Sequence, residues 1–194
     1  MKTLKRLTLA MLALLPLAVG GGEAARLRSP LALTVIVTPA LDTTGISATV
    51  SIPRFAMFAI TETAIGKRNK MMVFGDDYDT PDGTGVRDYI HVLDLAEGHV
   101  AAVEHLEDNP GFDVINLGTG NGISVLELVA AFERVAGVPI PTQVVERRPG
   151  DGPASWADAS KAAAVLGWTA SRDLDEMVAD VWRWQSQNPD GYPD

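Results

Sequence analysis

An α/β fold is the expectation for this chain, and three features of its sequence carry it. Short apolar or β-branched runs alternate with longer amphipathic segments between Met71 and Ser186, the pattern of strands covered by helices. One of those segments is marked at both ends, by Ser124 with Glu127 three positions later and by Gly137, which signal a capping box and a left-handed stop. Clusters of glycine, proline and aspartate at 75–85 and 149–153 separate the runs and read as turns.

In chain order, residues 31–37 read as a strand, while Pro30, Pro39, Gly45 and Pro53 break up the apolar stretch 26–60, which shows no motif and is left unassigned. A domain boundary is placed near residue 60, so that 61–194 forms the organised part. There, 71–74 and 86–92 read as strands and 93–107 as an amphipathic helix with Asp94 at its positively polarised start. Residues 114–117 read as a buried strand. The helix capped by Ser124 runs to Ala136 with Val125, Leu128, Val129 and Phe132 on one face. Residues 142–145 follow as a strand, 160–166 as a short helix and 174–186 as the last helix, whose start carries Asp173, Asp175 and Glu176 in keeping with its dipole. Trp156, Trp168, Trp182 and Trp184 are read as anchors of a small carboxy-terminal subdomain.

Composition narrows the function. At 194 residues and 46% hydrophobic content, the chain can bury a sizeable core. A formal net charge of −9 argues against nucleic-acid partners, because an acidic surface repels the phosphate backbone, so any anion site must be local. The sequence has no cysteine, which excludes disulfides, a thiolate nucleophile and cysteine-ligated zinc. His91, read as lying on a strand, shares no helical stripe with His99 and His105, and no metal site is expected. Residues 1–25 look like an export leader: Lys2, Lys5 and Arg6 precede an apolar stretch at 7–19 and then Gly20-Gly21-Gly22-Glu23-Ala24-Ala25.

A glycine turn, Asn116-Leu117-Gly118-Thr119-Gly120-Asn121-Gly122-Ile123-Ser124, lies between a strand and a helix, where a dinucleotide loop belongs. The G-x-G-x-x-G fingerprint needs a third glycine where Ile123 stands, so NAD is not expected to bind here, although Glu146 ends the next strand as a ribose-binding acid would.

Two other segments look like arms of an anion site. Gly83-Thr84-Gly85-Val86-Arg87-Asp88-Tyr89-Ile90-His91-Val92 and Arg147-Arg148-Pro149-Gly150-Asp151-Gly152-Pro153-Ala154-Ser155-Trp156-Ala157-Asp158 each set a guanidinium beside a carboxylate on a glycine-punctuated turn. A guanidinium is a planar fork that matches two phosphate oxygens. Together with Val73-Phe74-Gly75-Asp76-Asp77-Tyr78, Asn116-Leu117-Gly118-Thr119-Gly120, Trp182-Arg183-Trp184-Gln185 and Asn188-Pro189-Asp190-Gly191-Tyr192-Pro193-Asp194, these segments make the chain from Lys67 onward, about two thirds of it, resemble the C-terminal half of the UDP-glucose 4-epimerase family of extended short-chain dehydrogenases.

The resemblance implies partial Rossmann-type sheet elements plus the family's small C-terminal substrate-binding subdomain. It implies NAD as cofactor and UDP-glucose and UDP-galactose as substrates, interconverted in galactose metabolism by oxidation and reduction at the sugar C4. By that likeness Met72, Val73 and Phe74 match the strand that contacts uracil and ribose, and Arg87, Arg148 and Asp151 match residues that hold diphosphate and ribose. Ser155 stands where bacterial relatives often carry a bulky tyrosine, so its small side chain implies room for UDP-N-acetylhexosamines. The family's catalytic tyrosine has a lysine four residues on, whereas Tyr78 is followed by Asp82 and Tyr89 by Leu93. The NAD loop and that pair belong to the family's other half, as do the helices through which it commonly forms homodimers. The expectation is therefore a truncated epimerase, inactive alone and cytoplasmic by family; the alternatives are a UDP-sugar-binding module without turnover and, through the leader-like start, an exported protein of unrelated role.

Overall fold

The computed structural model of the chain describes residues 33–37, 46–49 and 54–191; the leader-like segment 1–25 and Tyr192-Pro193-Asp194 lie outside them. The elements are β1 (Leu33–Val37), β2 (Ile46–Thr49), α1 (Arg54–Ala64), β3 (Met71–Phe74), β4 (Val86–Arg87), α2 (Val92–Asp108), β5 (Asp113–Leu117), β6 (Ile123–Ser124), α3 (Val125–Ala136), β7 (Thr142–Val145), β8 (Ala154–Ser155), α4 (Ser160–Leu166) and α5 (Leu174–Gln187). Strands β3 and β7 pair in parallel, Met71 opposite Thr142 through Phe74 opposite Val145. Strand β4 lies between β6, antiparallel, and β8, parallel, with Arg87 opposite Ser155. Strand β5 pairs antiparallel with β1, which in turn pairs with β2.

Among the described residues, two buried clusters pack helices against strands. Ile60, Met71, Leu128, Phe132, Ile140 and Val178 pack α1, β3, α3 and α5 together, and Trp182 meets Phe132 edge-on at 5.6 Å. Ala102, Ile115, Leu117, Ala162 and Trp168 form the second core, between α2, β5 and α4. The helix α3 follows its sequence signals closely. The Ser124 hydroxyl accepts from the Glu127 N–H at 3.0 Å, the Glu127 carboxylate accepts from the Ser124 N–H at 2.7 Å, and Gly137 ends the helix in the left-handed region. At α5, Asp173 and Glu176 form a second reciprocal box in addition to their favourable place in the dipole.

Several expectations need correction. The strand read over 86–92 stops at Arg87, because Asp88, Tyr89 and His91 all turn into the interior. His91 is not on a strand: it is the N-cap of α2, its Nδ1 accepting from the Leu93 N–H at 3.1 Å while Nε2 faces Asp180 at 3.3 Å. The boundary read near residue 60 falls inside α1, whose Ile60 is fully buried in the first core. Of the four tryptophans, Trp168 and Trp182 are anchors, whereas Trp156 is 53% and Trp184 39% exposed. Among the described residues, no helix is long and apolar enough to cross a membrane, and no group of histidines and carboxylates is arranged to hold a metal ion.

Asp94 ties α2 to the approach to α5. Fully buried, it accepts from the Ser171 N–H at 3.1 Å, the Arg172 N–H at 3.0 Å and the Arg172 guanidinium. Burial alone would raise its pKa, but the bonds from Arg172 and Ser171 outweigh that and hold the carboxyl below its ordinary value. A depressed carboxyl gives stability that is complete above its unfolded pKa, near 4, and is lost as pH falls through the lower folded value. The variant D94N is expected to melt about 5 °C lower or more at neutral pH. Its Tm should also fall less steeply than the wild type's below about pH 4; parallel Tm profiles from pH 7 to pH 2 would contradict this account.

Candidate functional site

Alternation along β4 and the residue after it sends neighbouring side chains opposite ways. Asp88 points inward at 5% exposure and accepts four kinds of donor: the Thr119 N–H at 3.0 Å, the Thr119 hydroxyl at 2.6 Å, the Gly120 N–H at 3.3 Å and the Ala157 N–H at 3.1 Å. The carboxylate beside Arg87 is thus no partner of that arginine; it fastens the glycine turn and the segment after β8 to β4. Arg87 points the other way, its guanidinium donating to the carbonyls of Val86 at 2.7 Å and Gly152 at 2.9 Å.

The second arm does contain an ion pair. Arg148 Nε lies 3.3 Å from an Asp151 carboxylate oxygen, and the Asp151 N–H donates to the Arg148 carbonyl at 3.2 Å, closing a tight turn. The Arg148 guanidinium rests on the Phe74 ring at 4.1 Å. Phe74, Arg148, Asp151, Arg87 and Ser155 therefore form one connected surface, joined by the cation–π contact, the Arg87 bond to Gly152 and the register of β4 with β8. Met72 stands on the same face of β3 as Phe74 and is exposed. Val73 points to the opposite face and is 1% exposed, so only its backbone is available to a ligand.

Sequence reasoning gave no role to Arg147, Tyr78 or the Gly152 carbonyl. Arg147 stacks on Tyr78 at 4.1 Å and donates to Asp77 at 2.6 Å. Its place in the doublet Arg147-Arg148 was the available signal. Tyr89 is unsuited to accept a proton near neutrality: burial pushes its phenol up to about 12, only partly offset by Arg87.

The glycine turn also has its explanation. The Thr119 and Gly120 N–H groups, which a dinucleotide loop would aim at a pyrophosphate, are taken by Asp88. A Cβ on Gly122 would lie 2.4 Å from Val86 Cγ1 and 2.8 Å from the Trp156 ring. These residues do not fit NAD; the turn is a packing junction.

The profile of the GDP-mannose 4,6 dehydratase family matches residues 43–181. The chain is 57% identical over 143 residues to a UDP-glucose 4-epimerase of Yersinia pestis, a match covering 74% of this chain and 42% of the relative. Among solved structures, the UDP-glucose 4-epimerase of Bifidobacterium longum in complex with NAD+ and UDP superposes with a TM-score of 0.66 at 47% identity, over 76% of this chain and 43% of that one. The UDP-Glc/GlcNAc 4-epimerase of Campylobacter jejuni does so with a TM-score of 0.63 at 38% identity, over 72% and 41%. The chain thus spans about two fifths of the length of the relatives it matches.

Gly118 offers a test of the junction, since an added Cβ would lie 2.5 Å from Asp88 Oδ2 and 2.6 Å from Ala157 Cβ. Gly118→Ala is expected to cost about 2 kcal/mol in urea unfolding. Gly111→Ala, where nothing lies within 4 Å of the added carbon, should stay within about 0.5 kcal/mol of wild type. Equal stabilities for the two variants would refute the junction.

Proposed function

The chain belongs to the extended short-chain dehydrogenases described by the GDP-mannose 4,6 dehydratase profile, and from that premise we propose that it is the UDP-sugar-gripping portion of a UDP-glucose 4-epimerase. The observation that carries the proposal is the surface on which Arg148 is stacked on Phe74 and paired with Asp151 while Arg87 is held by the Gly152 carbonyl beside Ser155. Two guanidiniums on one side of a protein with net charge −9 make a local anion site that matches a diphosphate rather than a long polyanion.

In this reading Arg87 and Arg148 bind the two phosphates, Asp151 accepts from ribose hydroxyls, and Met72, Phe74 and the Val73 backbone border the uracil. Ser155, beside Arg87, faces the sugar. The chain's own residues bind and orient UDP-glucose or UDP-galactose. The redox step at C4 belongs to NAD, held by the family's dinucleotide-binding portion, and this chain by itself binds without turnover. Where UDP-sugars and NAD are made, in the cytoplasm, is where such a protein acts. The presence of a UDP-Glc/GlcNAc 4-epimerase among the structural neighbours supports extending the substrates to UDP-N-acetylhexosamines through the small Ser155.

Calorimetric titration of the full chain with UDP-glucose should give saturable binding that R87Q and R148Q each weaken about tenfold or more, the loss of one charge-assisted contact. Titration with NAD should give no heat of binding. Retention of wild-type affinity by both variants would sink the proposal. For the sugar pocket, Ser155→Tyr should weaken UDP-N-acetylglucosamine about tenfold while leaving UDP-glucose within about twofold; an equal loss for both ligands would reject a role for Ser155 in admitting the acetamido group.

A further inference from the structure

The chain carries two consecutive arginines, and the diphosphate reading uses only Arg148. We propose that Arg147 is a positioning residue whose guanidinium, stacked on Tyr78 and bonded to Asp77, clamps the 147–153 segment to the turn after β3, so that Arg148 is already presented when a nucleoside diphosphate arrives. The inference rests on the UDP-binding reading of Arg148.

The ladder between β3 and β7 extends one bond past the strands, from the Gly75 N–H to the Val145 carbonyl at 2.9 Å. Beyond it side chains take over. Arg147 lies over the Tyr78 ring at 4.1 Å, and Arg148 over the Phe74 ring at the same distance. The Arg147 Nε donates to an Asp77 carboxylate oxygen at 2.6 Å, and its terminal nitrogen donates to the Asp77 carbonyl. These two bonds and the stack fix both the plane and the direction of that guanidinium, which a single ion pair would not do.

Gly75 makes the approach possible. Its φ of +84° is left-handed, and a Cβ there would meet Arg147 Cγ at 2.7 Å and the Tyr78 ring at 2.8 Å. Tyr78 also reaches the other arm of the site, since its N–H donates to the Gly83 carbonyl at 2.9 Å, four residues before Arg87. One residue, through its ring on one side and its backbone N–H on the other, therefore connects the turns that bear the two diphosphate arginines. The Tyr78 hydroxyl is buried with no hydrogen-bond partner, which leaves the ring as the part that does the clamping. The charge of Arg147 is committed to Asp77, so it orders the site without contacting the diphosphate. Ordering a segment before the ligand arrives removes part of the entropy loss from the binding step.

The test uses the full chain with two readouts: UDP affinity by calorimetry, and amide hydrogen exchange of residues 148–152 without ligand, where the Asp151 N–H reports the Arg148 turn. R147Q, Y78L and D77N are expected to weaken UDP about fivefold and to speed exchange at 148–152 about tenfold. Y78F should change either readout by less than about twofold, because it keeps the ring. Weakened binding with unchanged exchange in R147Q would make Arg147 a direct ligand and overturn the clamp. Unchanged affinity and exchange in R147Q and D77N would overturn it as well. Failure of the wild type to bind UDP would instead overturn the diphosphate reading, and the clamp with it.

Discussion

The arrangement of the site depends on where the Asp88 carboxylate finds its hydrogen bonds. A buried carboxylate without partners costs several kcal/mol, and Asp88 is satisfied only when the Thr119 and Gly120 N–H groups and the Ala157 N–H converge on it. Those donors lie 31, 32 and 69 residues away in sequence, so meeting that one demand brings the glycine turn and the end of β8 onto β4. Once they are there, alternation leaves Arg87 and its register partner Ser155 side by side.

Asp88 and Asp94 solve the same problem in different ways. Asp94 recruits a cation, Arg172, along with two backbone N–H groups, and so serves as a structural bolt between α2 and the start of α5. Asp88 is satisfied by dipoles and a hydroxyl. Its neighbour Arg87 is thereby spared, since an ion pair between the two would have drawn the guanidinium inward and cancelled its charge.

How much of this was legible follows from how local each signal is. The helix α3 could be read to its last residue because Ser124, Glu127 and Gly137 act within one or two turns of each other. Strands β3 and β7 were read with their observed bounds from their apolar runs, and α4 likewise. The helix α1 was missed although Ala56, Met57, Ile60 and Ala64 repeat at helical spacing and face the first core; the prolines that precede it drew attention to breakage instead. Two-residue strands such as β6 and β8 have no period to detect. The partners of Asp88 were illegible because nothing in a single sequence states which distant N–H groups will converge. The site residues were named through family likeness, and composition had indicated only that an anion site must be local.

The three arginines of the site differ in what their holders do to their charge, and that difference fits the roles proposed for them. Carbonyl oxygens orient Arg87 but carry only partial charge, so its full positive charge remains for an anion. Arg148 rests on an aromatic face and meets Asp151 through a single 3.3 Å contact. An incoming phosphate, with more charge and better fork geometry than one distant carboxylate oxygen, can displace that contact and leave Asp151 to accept from a sugar hydroxyl. Arg147 is bound to Asp77 through two nitrogens, one of them at 2.6 Å from the carboxylate, and to release that pair for a ligand would forfeit the stack on Tyr78 too. The cheapest response of the site to a diphosphate is therefore to spend Arg87 and Arg148 on it while Arg147 stays in place. An acidic protein can hold a dianionic ligand in this way, because Arg87 is kept from its carboxylates and Arg148 is held by one of them through a single long contact.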